Sequence, residues 1–549
     1  MGQDVLFLAV VLALVRPVGA YLARVFSGEK TWLDPVARPL ERAIYRVTRI
    51  DATAEMAWTE YAASFVVFGL AGTLVLYLVL RVQMWLPWFD AAHMTTPMTP
   101  DLTANTAISF ATTSTWQAYG GETTMSYATQ LIGLVGQNFL AGAAGLAVGI
   151  AFIRGIASDG TGRLGNFWVD VVRATIWVLL PLSLVGGLVL IGLGVPMNVD
   201  PYTAVTTVEG ASQTIAQGPV AALELIKNLG TNGGGFFNAN GAHPFENPTP
   251  LTNVLELLAI VVVPAALTYT FGRMTRRPRD GSALLVAMVV MFVVGLACVH
   301  TAERGNMEGK EVRFGVGGSA LAAAVTSNTA TGSTNAMHDS FMPLGGMVPL
   351  VNMLIGEIVF GGLGTGLYSI IMTALLGMFI IGLMVGRTPQ YMNKQLGHRE
   401  VRLIVLYSLL GPACILALTA VAVLLPAGRA GLTTNTGPHG LTEILYAYTS
   451  AFANNGQAFA GLSANSPFYN VTTAVAMMLG RYGLAIPALA LAGTFSRVRP
   501  RSGAGAVPTD GLLFVGVIIA AALLLAALTF APVLALGPIL EHLALIHRL

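Results

Sequence analysis

The sequence predicts an all-α polytopic membrane protein with ten transmembrane helices, eight of them paired into four fused helix, re-entrant loop, helix units around a pseudo-four-fold pore. Three observations lead there. The 549 residues are 54 % hydrophobic and only 10 % charged, far from the balance of a soluble chain. Apolar stretches of bilayer length recur, since a hydrocarbon core of about 30 Å needs about 20 apolar residues per helix. Four short polar segments, TTSTWQ at 112–117, TNGGGF at 231–236, TATGST at 329–334 and ANNGQA at 453–458, each follow a weakly hydrophobic stretch too short to cross a bilayer.

Taken in order, the helices are expected near 4–26, 61–86, 127–153, 172–196, 252–272, 281–301, 347–386, 402–426, 468–496 and 511–536. The first is read as a retained helix and not a signal peptide, because Asp4 stands where a basic n-region belongs and Arg24 follows the apolar run. Leu6 breaks the myristoylation pattern. Basic residues fall in alternate connections: Arg24, Lys30, Arg38, Arg42, Arg46 and Arg49; Arg154, Arg163 and Arg173; Arg273, Arg276, Arg277 and Arg279; Arg387, Lys394, Arg399 and Arg402; Arg497, Arg499 and Arg501. The positive-inside bias makes these connections cytoplasmic, and puts both termini and the four polar segments outside. The expected organisation is 1–60 for the first helix and its cytoplasmic connection, then pore repeats at 61–156, 168–279, 280–400 and 401–500, with the last helix in 505–549.

Non-helical backbone at membrane depth is tolerated only where protein or a water-filled cavity satisfies it, so four such units should close around one axis. Glycine permits positive φ and close backbone approach, and Gly233, Gly332 and Gly456 can therefore aim carbonyls at an ion. Thr115 stands at the matching place in the first segment, whose hydroxyls should make it less symmetric with the others. The expected ion-binding residues are Thr113, Ser114 and Thr115; Asn232, Gly233 and Gly234; Thr331, Gly332 and Ser333; and Asn455, Gly456 and Gln457. None carries charge. Neutral oxygen cages suit a monovalent ion that loses water cheaply, and potassium is the natural candidate.

Ionisable residues inside apolar stretches call for a partner or a function. Glu357 lies among Gly356, Gly361, Gly362, Gly364 and Gly366, in a stretch, 347–386, far longer than one crossing. A helix break near 361–366 is expected, placing a loop below the third segment, with Gly361 and Gly362 at the ion path and Glu357 either lining or gating that path or pairing structurally. Arg481 could gate the path, or hold a carboxylate or carbonyl ends as a structural cation. Glu256 reads as a charge complementing its helix dipole, and Glu224 with Lys227 as a helix-surface pair. His243 and His338 should brace loops, Met477 and Met478 pack the core, and Cys298 and Cys414 read as inert buried thiols. The chain has no DKTGT phosphorylation sequence and no GxxxxGK[ST] loop; GNMEGKE at 305–311 and SDGTGR at 158–163 fail as phosphate cradles.

NLGTNGGGFFNANGAHPFENPTPLTN at 228–253, NAMHDSF at 335–341, GEIVFGGLGTGLY at 356–368 and YTSAFANNGQAFAGLSANSPFYN at 448–470 resemble the potassium-binding A subunit of the Kdp potassium-transporting ATPase, within the superfamily of potassium transporters. The resemblance covers essentially the whole chain. It implies a non-catalytic component that captures external potassium, the only metal ion bound, in a bacterial inner membrane. It further implies a catalytic B subunit of the P-type ATPase class that uses ATP and magnesium, together with a C subunit, a small F subunit, and a lateral exit for the ion. No cofactor is expected in this chain. A stand-alone channel or cation symporter is the alternative, and a membrane-embedded enzyme would need a catalytic constellation that the sequence does not offer.

Overall fold

A computed structural model describes residues 2–158, 160–386, 388–499 and 508–547. Asp159, Arg387 and Arg501 of the segments considered above lie outside them. Ten helices among the described residues are long and apolar enough to cross a membrane: Gly2–Ser27, Trp58–Trp85, Thr129–Ala157, Phe167–Gly192, Pro250–Met274, Pro278–Ala302, Thr365–Val385, His398–Leu424, Pro467–Phe495 and Leu512–His547. Eight match the expected spans with ends shifted by a few residues; the expected span at 347–386 is instead a short helix, Pro343–Leu354, and a shorter span, Thr365–Val385, and the last span runs on to His547, bending at Gly537 (φ −95°, ψ −107°).

Four shorter helices separate the members of the four pairs: Pro100–Ala111, Val220–Leu229, Gly315–Asn328 and Gly437–Ala453. Local sequence explains several starts. The Thr99 hydroxyl accepts from Leu102 N ahead of Pro100, Thr249 caps the helix opening at Pro250, and Ser466 caps the one opening at Pro467. A hydroxyl at the cap satisfies one orphan N–H, while proline at the first helical position loses no bond. The connection after the first span, which carries Arg38, Arg42 and Arg46, forms a further helix, Asp34–Thr48.

Small residues let the spans approach closely. A Cβ on Gly19 would stand 2.6 Å from Ala266 O, and Thr270 Oγ1 donates to Gly19 O at 3.1 Å, so the first span lies tight against Pro250–Met274. Basic residues of the positive connections close helix ends. Lys394 Nζ donates to Ile156 O, Ser158 O and Phe495 O at 2.6–2.9 Å, binding the carbonyl termini of two spans with one cation. Arg154 pairs with buried Asp170 at 2.6 Å, and Asp170 also accepts from Tyr61. The expectation for the cysteines holds only for Cys414; Cys298 is exposed on the outward face of its span.

Candidate functional site: four polar turns above an interrupted helix

Each short helix ends in the polar segment that the sequence singled out. The four chain reversals are alike in register. A left-handed residue opens each one, at Thr113 (φ 65°), Thr231 (φ 50°), Ala330 (φ 50°) and Asn454 (φ 57°). Two residues later come Thr115, Gly233, Gly332 and Gly456. Gly233 (φ 96°) and Gly456 (φ 81°) use the freedom that glycine gives, and Thr115 (φ 50°) adopts the left-handed region despite its branched side chain. Gly332 does not; it is glycine because of what it touches, since a Cβ there would stand 2.8 Å from Asn455 O.

The turns close into a ring in chain order. Thr115 Oγ1 donates to Asn232 O at 2.6 Å, and Gly235 N donates to Gln117 Oε1 at 2.7 Å, joining first and second. Gly332 N donates to Asn232 O at 3.0 Å, and a Cβ on Gly233 would overlap Gly332, joining second and third. Gln457 Nε2 reaches Ser333 O at 3.4 Å between third and fourth, and Asn454 Nδ2 donates to Ser114 Oγ at 2.9 Å to complete the circuit. The ring thus brings together all twelve residues expected to bind an ion. Ser114, Thr115, Asn232, Thr331, Asn455 and Gln457 are buried, and among the described residues the side-chain amide of Asn232 has no hydrogen-bond partner on either atom. The hydroxyl of Thr115 donates to neighbouring carbonyls, Ser114 O and Asn232 O.

Four helix C-termini converge behind these turns. Each carries a partial negative charge of about half a unit from its unsatisfied carbonyls, so the ring sits in a field favouring a cation without any carboxylate in it.

Beneath the ring the expected helix break is present and longer than foreseen. The helix Pro343–Leu354 ends, and residues 355–364 run unwound before Thr365–Val385 begins. Five of them are left-handed: Gly356, Glu357, Phe360, Gly361 and Gly364. A non-glycine at positive φ such as Glu357 (φ 50°) is held there by its surroundings. Its carboxylate accepts from Asn455 Nδ2 of the fourth turn at 2.7 Å, while Leu363 N donates to Thr231 Oγ1 of the second turn at 2.8 Å. Gly364 packs on Gly149, whose Cβ position lies 2.7 Å from the Gly364 Cα. The loop therefore crosses under the ring and touches three of the four repeats.

Beside the loop is a cavity of about 110 Å³. Its lining includes Thr113, Ala330, Glu357, Gly362 and Arg481, together with Thr529 and Phe530 of the last span. Arg481 is buried and donates to Thr113 Oγ1 at 3.1 Å and Ala141 O at 2.9 Å, with its plane over Phe65. It holds hydroxyl and carbonyl oxygens, and no ion pair is found for it among the described residues. Gly361 faces Gly366 across the bend, away from the cavity wall.

Two readings of the sequence fail behind the second turn. Glu224 and Lys227 are no surface pair: both are buried, Lys227 Nζ lies 2.7 Å from Glu224 and 2.6 Å from Glu246, and it donates to Asn240. Glu246 also accepts from Phe237 N, so the cluster clamps the chain on both sides of TNGGGF. Helical spacing shows Glu224 with Lys227; Glu246, nineteen residues on in an irregular segment, gives no periodic signal. Glu256 does not sit at a helix end but is buried and lines a small polar cavity with Asn228, Asn253 and Ser333. His243 and His338 brace loops as expected: His243 stacks on Phe237 with centroids 3.7 Å apart, and His338 Nδ1 is 3.0 Å from Tyr446 Oη.

Known proteins sharpen this picture. Residues 5–543 match the family model described as potassium-transporting ATPase A subunit. In Methylorubrum extorquens, the potassium-transporting ATPase potassium-binding subunit is 51 % identical over 99 % of this chain and 97 % of its own length. Its counterpart in Solibacter usitatus is 51 % identical over 100 % and 98 %, and that of Bradyrhizobium diazoefficiens 49 % identical over 99 % and 98 %. Among solved structures, the potassium transporter TrkH of Vibrio parahaemolyticus superposes with a TM-score of 0.52 at 13 % identity, covering 88 % of this chain and 97 % of that one, which is a likeness of fold. With a family model spanning nearly all of its residues and relatives at half identity, the chain belongs to the family of the potassium-transporting ATPase A subunit.

Proposed function

We propose that this chain is the potassium-binding, non-catalytic subunit of a potassium-importing ATPase, and that potassium binds within the ring of polar turns. The closure of the four turns into one ring is the observation that carries the reading. Neutral oxygens and four helix C-termini replace the water of a monovalent ion at less cost than they would that of a divalent one. Thr113, Ser114 and Thr115, Asn232, Gly233 and Gly234, Thr331, Gly332 and Ser333, and Asn455, Gly456 and Gln457 form the cage.

The ion then moves sideways. The loop at 355–364 obstructs the straight route, and the cavity beside it leads past Glu357 and Arg481 toward the last span. Glu357 supplies negative charge to the diverted ion, and Arg481 places positive charge opposite. Delivery is to the catalytic B subunit, a P-type ATPase that uses ATP and magnesium, in a complex completed by the C and F subunits. The complex lies in the bacterial inner membrane with both termini of this chain extracytoplasmic, as the alternation of basic connections supports. A stand-alone channel is the weaker reading, because a channel needs the straight route open.

Reconstituted in liposomes, the complex should accumulate potassium only with ATP, and this chain purified alone should hydrolyse none. Deleting part of 361–366 should convert transport into ATP-independent flux. Normal coupling with no leak in that deletion would remove the lateral route, and hydrolysis by the contaminant-free chain would overturn the division of labour.

A further inference from the structure

A separate group of metal-ligating side chains lies where the turn His338–Ser340, the start of Gly437–Ala453 and the last helix Leu540–His547 meet. His439 and Glu443 are four residues apart and share one face of their helix, which directs both toward Asp339. One ligand atom from each of Asp339, His439 and Glu443 lies within 4.8 Å of the other two. His439 Nε2 is 2.7 Å from Asp339 Oδ1 and 3.9 Å from Glu443 Oε1. A tetrahedral ion with bonds of about 2.0–2.1 Å sets its ligand atoms about 3.4 Å apart, between these two separations.

Three further observations point to a cation. The Glu443 side chain is 0 % exposed and its Oε2 has no hydrogen-bond partner among the described residues, which is costly for a carboxylate unless a positive charge meets it. His439 lies between two carboxylates, with Nδ1 2.8 Å from Glu541 Oε1 and Nε2 2.7 Å from Asp339 Oδ1. Against the lowering effect of burial they push its pKa up to about 10, so both nitrogens donate; a bound ion would take the place of the Nε2 proton while Glu541 keeps the one on Nδ1. Metal-binding histidines are oriented by an outer carboxylate in this way. The Asn435 amide stands 2.7 Å from Glu443 Oε1 and 3.2 Å from Asp339 Oδ2, and by rotating half a turn it offers a carbonyl oxygen to the same centre. Gly461 makes the room: a Cβ there would stand 2.7 Å from Asp339 Oδ1 and overlap the Glu443 carboxylate.

We propose that Asp339, His439 and Glu443 form a binding site for a divalent cation of the zinc class, with Asn435 as fourth donor and Glu541 orienting the imidazole. Imidazole with carboxylates suits zinc better than the hard, all-oxygen preference of calcium or magnesium. Three carboxylates around one imidazole leave a net negative charge that a dication offsets in large part. Asp339 and His439 are 15 % and 17 % exposed, so an ion can enter from solvent. The site ties the last helix to the fourth turn, because Asp339 N donates to Phe459 O at 2.7 Å just beyond Gln457.

The test uses the full-length protein in its purified membrane complex, stripped with a chelator, incubated with low-micromolar zinc and washed. Metal content is read by mass spectrometry beside gel-filtration profiles. The wild type should hold about one zinc more per chain than His439→Ala or Glu443→Gln, as a single site of three protein ligands requires. Glu443→Asp keeps the charge but shortens its reach, and should bind zinc about tenfold more weakly in competition with a fluorescent chelator. If Glu443→Gln aggregates, His439→Ala with Glu443→Asp decides the matter. Equal zinc in the wild type and every monodisperse variant means adventitious surface binding and overturns the site, as does a wild type that takes up none.

Discussion

Replacing Gly233 by alanine should lower potassium affinity about 30- to 150-fold without unfolding the protein. At φ 96° a side chain meets the strain that left-handed backbone imposes on L-residues, about 1–2 kcal/mol. The added Cβ also overlaps the backbone of Gly332, which must retreat by roughly 1.5 Å to reach ordinary contact. That movement breaks the bond from Gly332 N to Asn232 O, 3.0 Å long and worth about 1 kcal/mol. Together the terms come to about 2–3 kcal/mol, or roughly 30- to 150-fold if the ion requires the closed ring. Gly194→Ala separates the causes, since its φ of 103° imposes the same strain while a Cβ there meets nothing within 4 Å. The assay is the apparent potassium affinity of ATP hydrolysis by the purified complex, with thermal unfolding alongside. Wild-type affinity in Gly233→Ala, or an equal loss in Gly194→Ala, would refute the reasoning.

Thr115→Gly relieves left-handed strain but removes the hydroxyl bond to Asn232 O, two terms of about 1 kcal/mol with opposite sign; affinity should stay within about fivefold of wild type, whereas Thr115→Val should lose about tenfold in the same assay. Lys227→Met leaves Glu224 and Glu246 buried without a cation, so it should destabilise by about 3–5 kcal/mol, seen as a large fall in unfolding temperature. An unchanged unfolding temperature would remove the clamp from the account. Glu357→Gln keeps an oxygen able to accept from Asn455 yet removes the charge beside the cavity; turnover should fall about tenfold or more with unfolding temperature unchanged, and normal turnover would show that the carboxylate serves only the loop.

The spans, the four short helices and the four polar turns were legible because each rests on a local rule: apolar length, a capped start, and a cluster of small polar residues after an interrupted helix. The break in the long stretch was legible for the same reason, as length beyond one crossing coincides with clustered glycine. Its true extent, 355–364, was not, because Glu357 and Phe360 take left-handed backbone that no propensity predicts. Sequence also gave Gly332 the wrong reason. Glycine at a turn suggests positive φ, yet Gly332 is constrained by the chain of another repeat, and a contact spanning more than a hundred residues leaves no periodic trace. The clamp on Lys227 was missed on the same ground, since Glu246 lies in an irregular segment.

These misses share a cause that bears on how the site works. The four turns are alike in register, and what distinguishes them comes from the shell behind. The second leans on a buried lysine and two glutamates, the fourth on Tyr446, which donates to Gln457 at 2.7 Å, and the first on Arg481 through Thr113. The third is backed by the connection ahead of its short helix, where Glu303 and Lys310 form a buried pair at 2.8 Å and Glu303 accepts from Met342 N beyond the turn. A ring supported by four different shells deforms unequally when one member is pushed, and the loop beneath joins the second turn through Thr231 to the fourth through Asn455. A displacement of Glu357 is therefore felt first in the fourth turn, and one of Leu363 in the second. That inequality lines the cavity with both Glu357 and Arg481, an asymmetry of charge that four identical repeats could not supply.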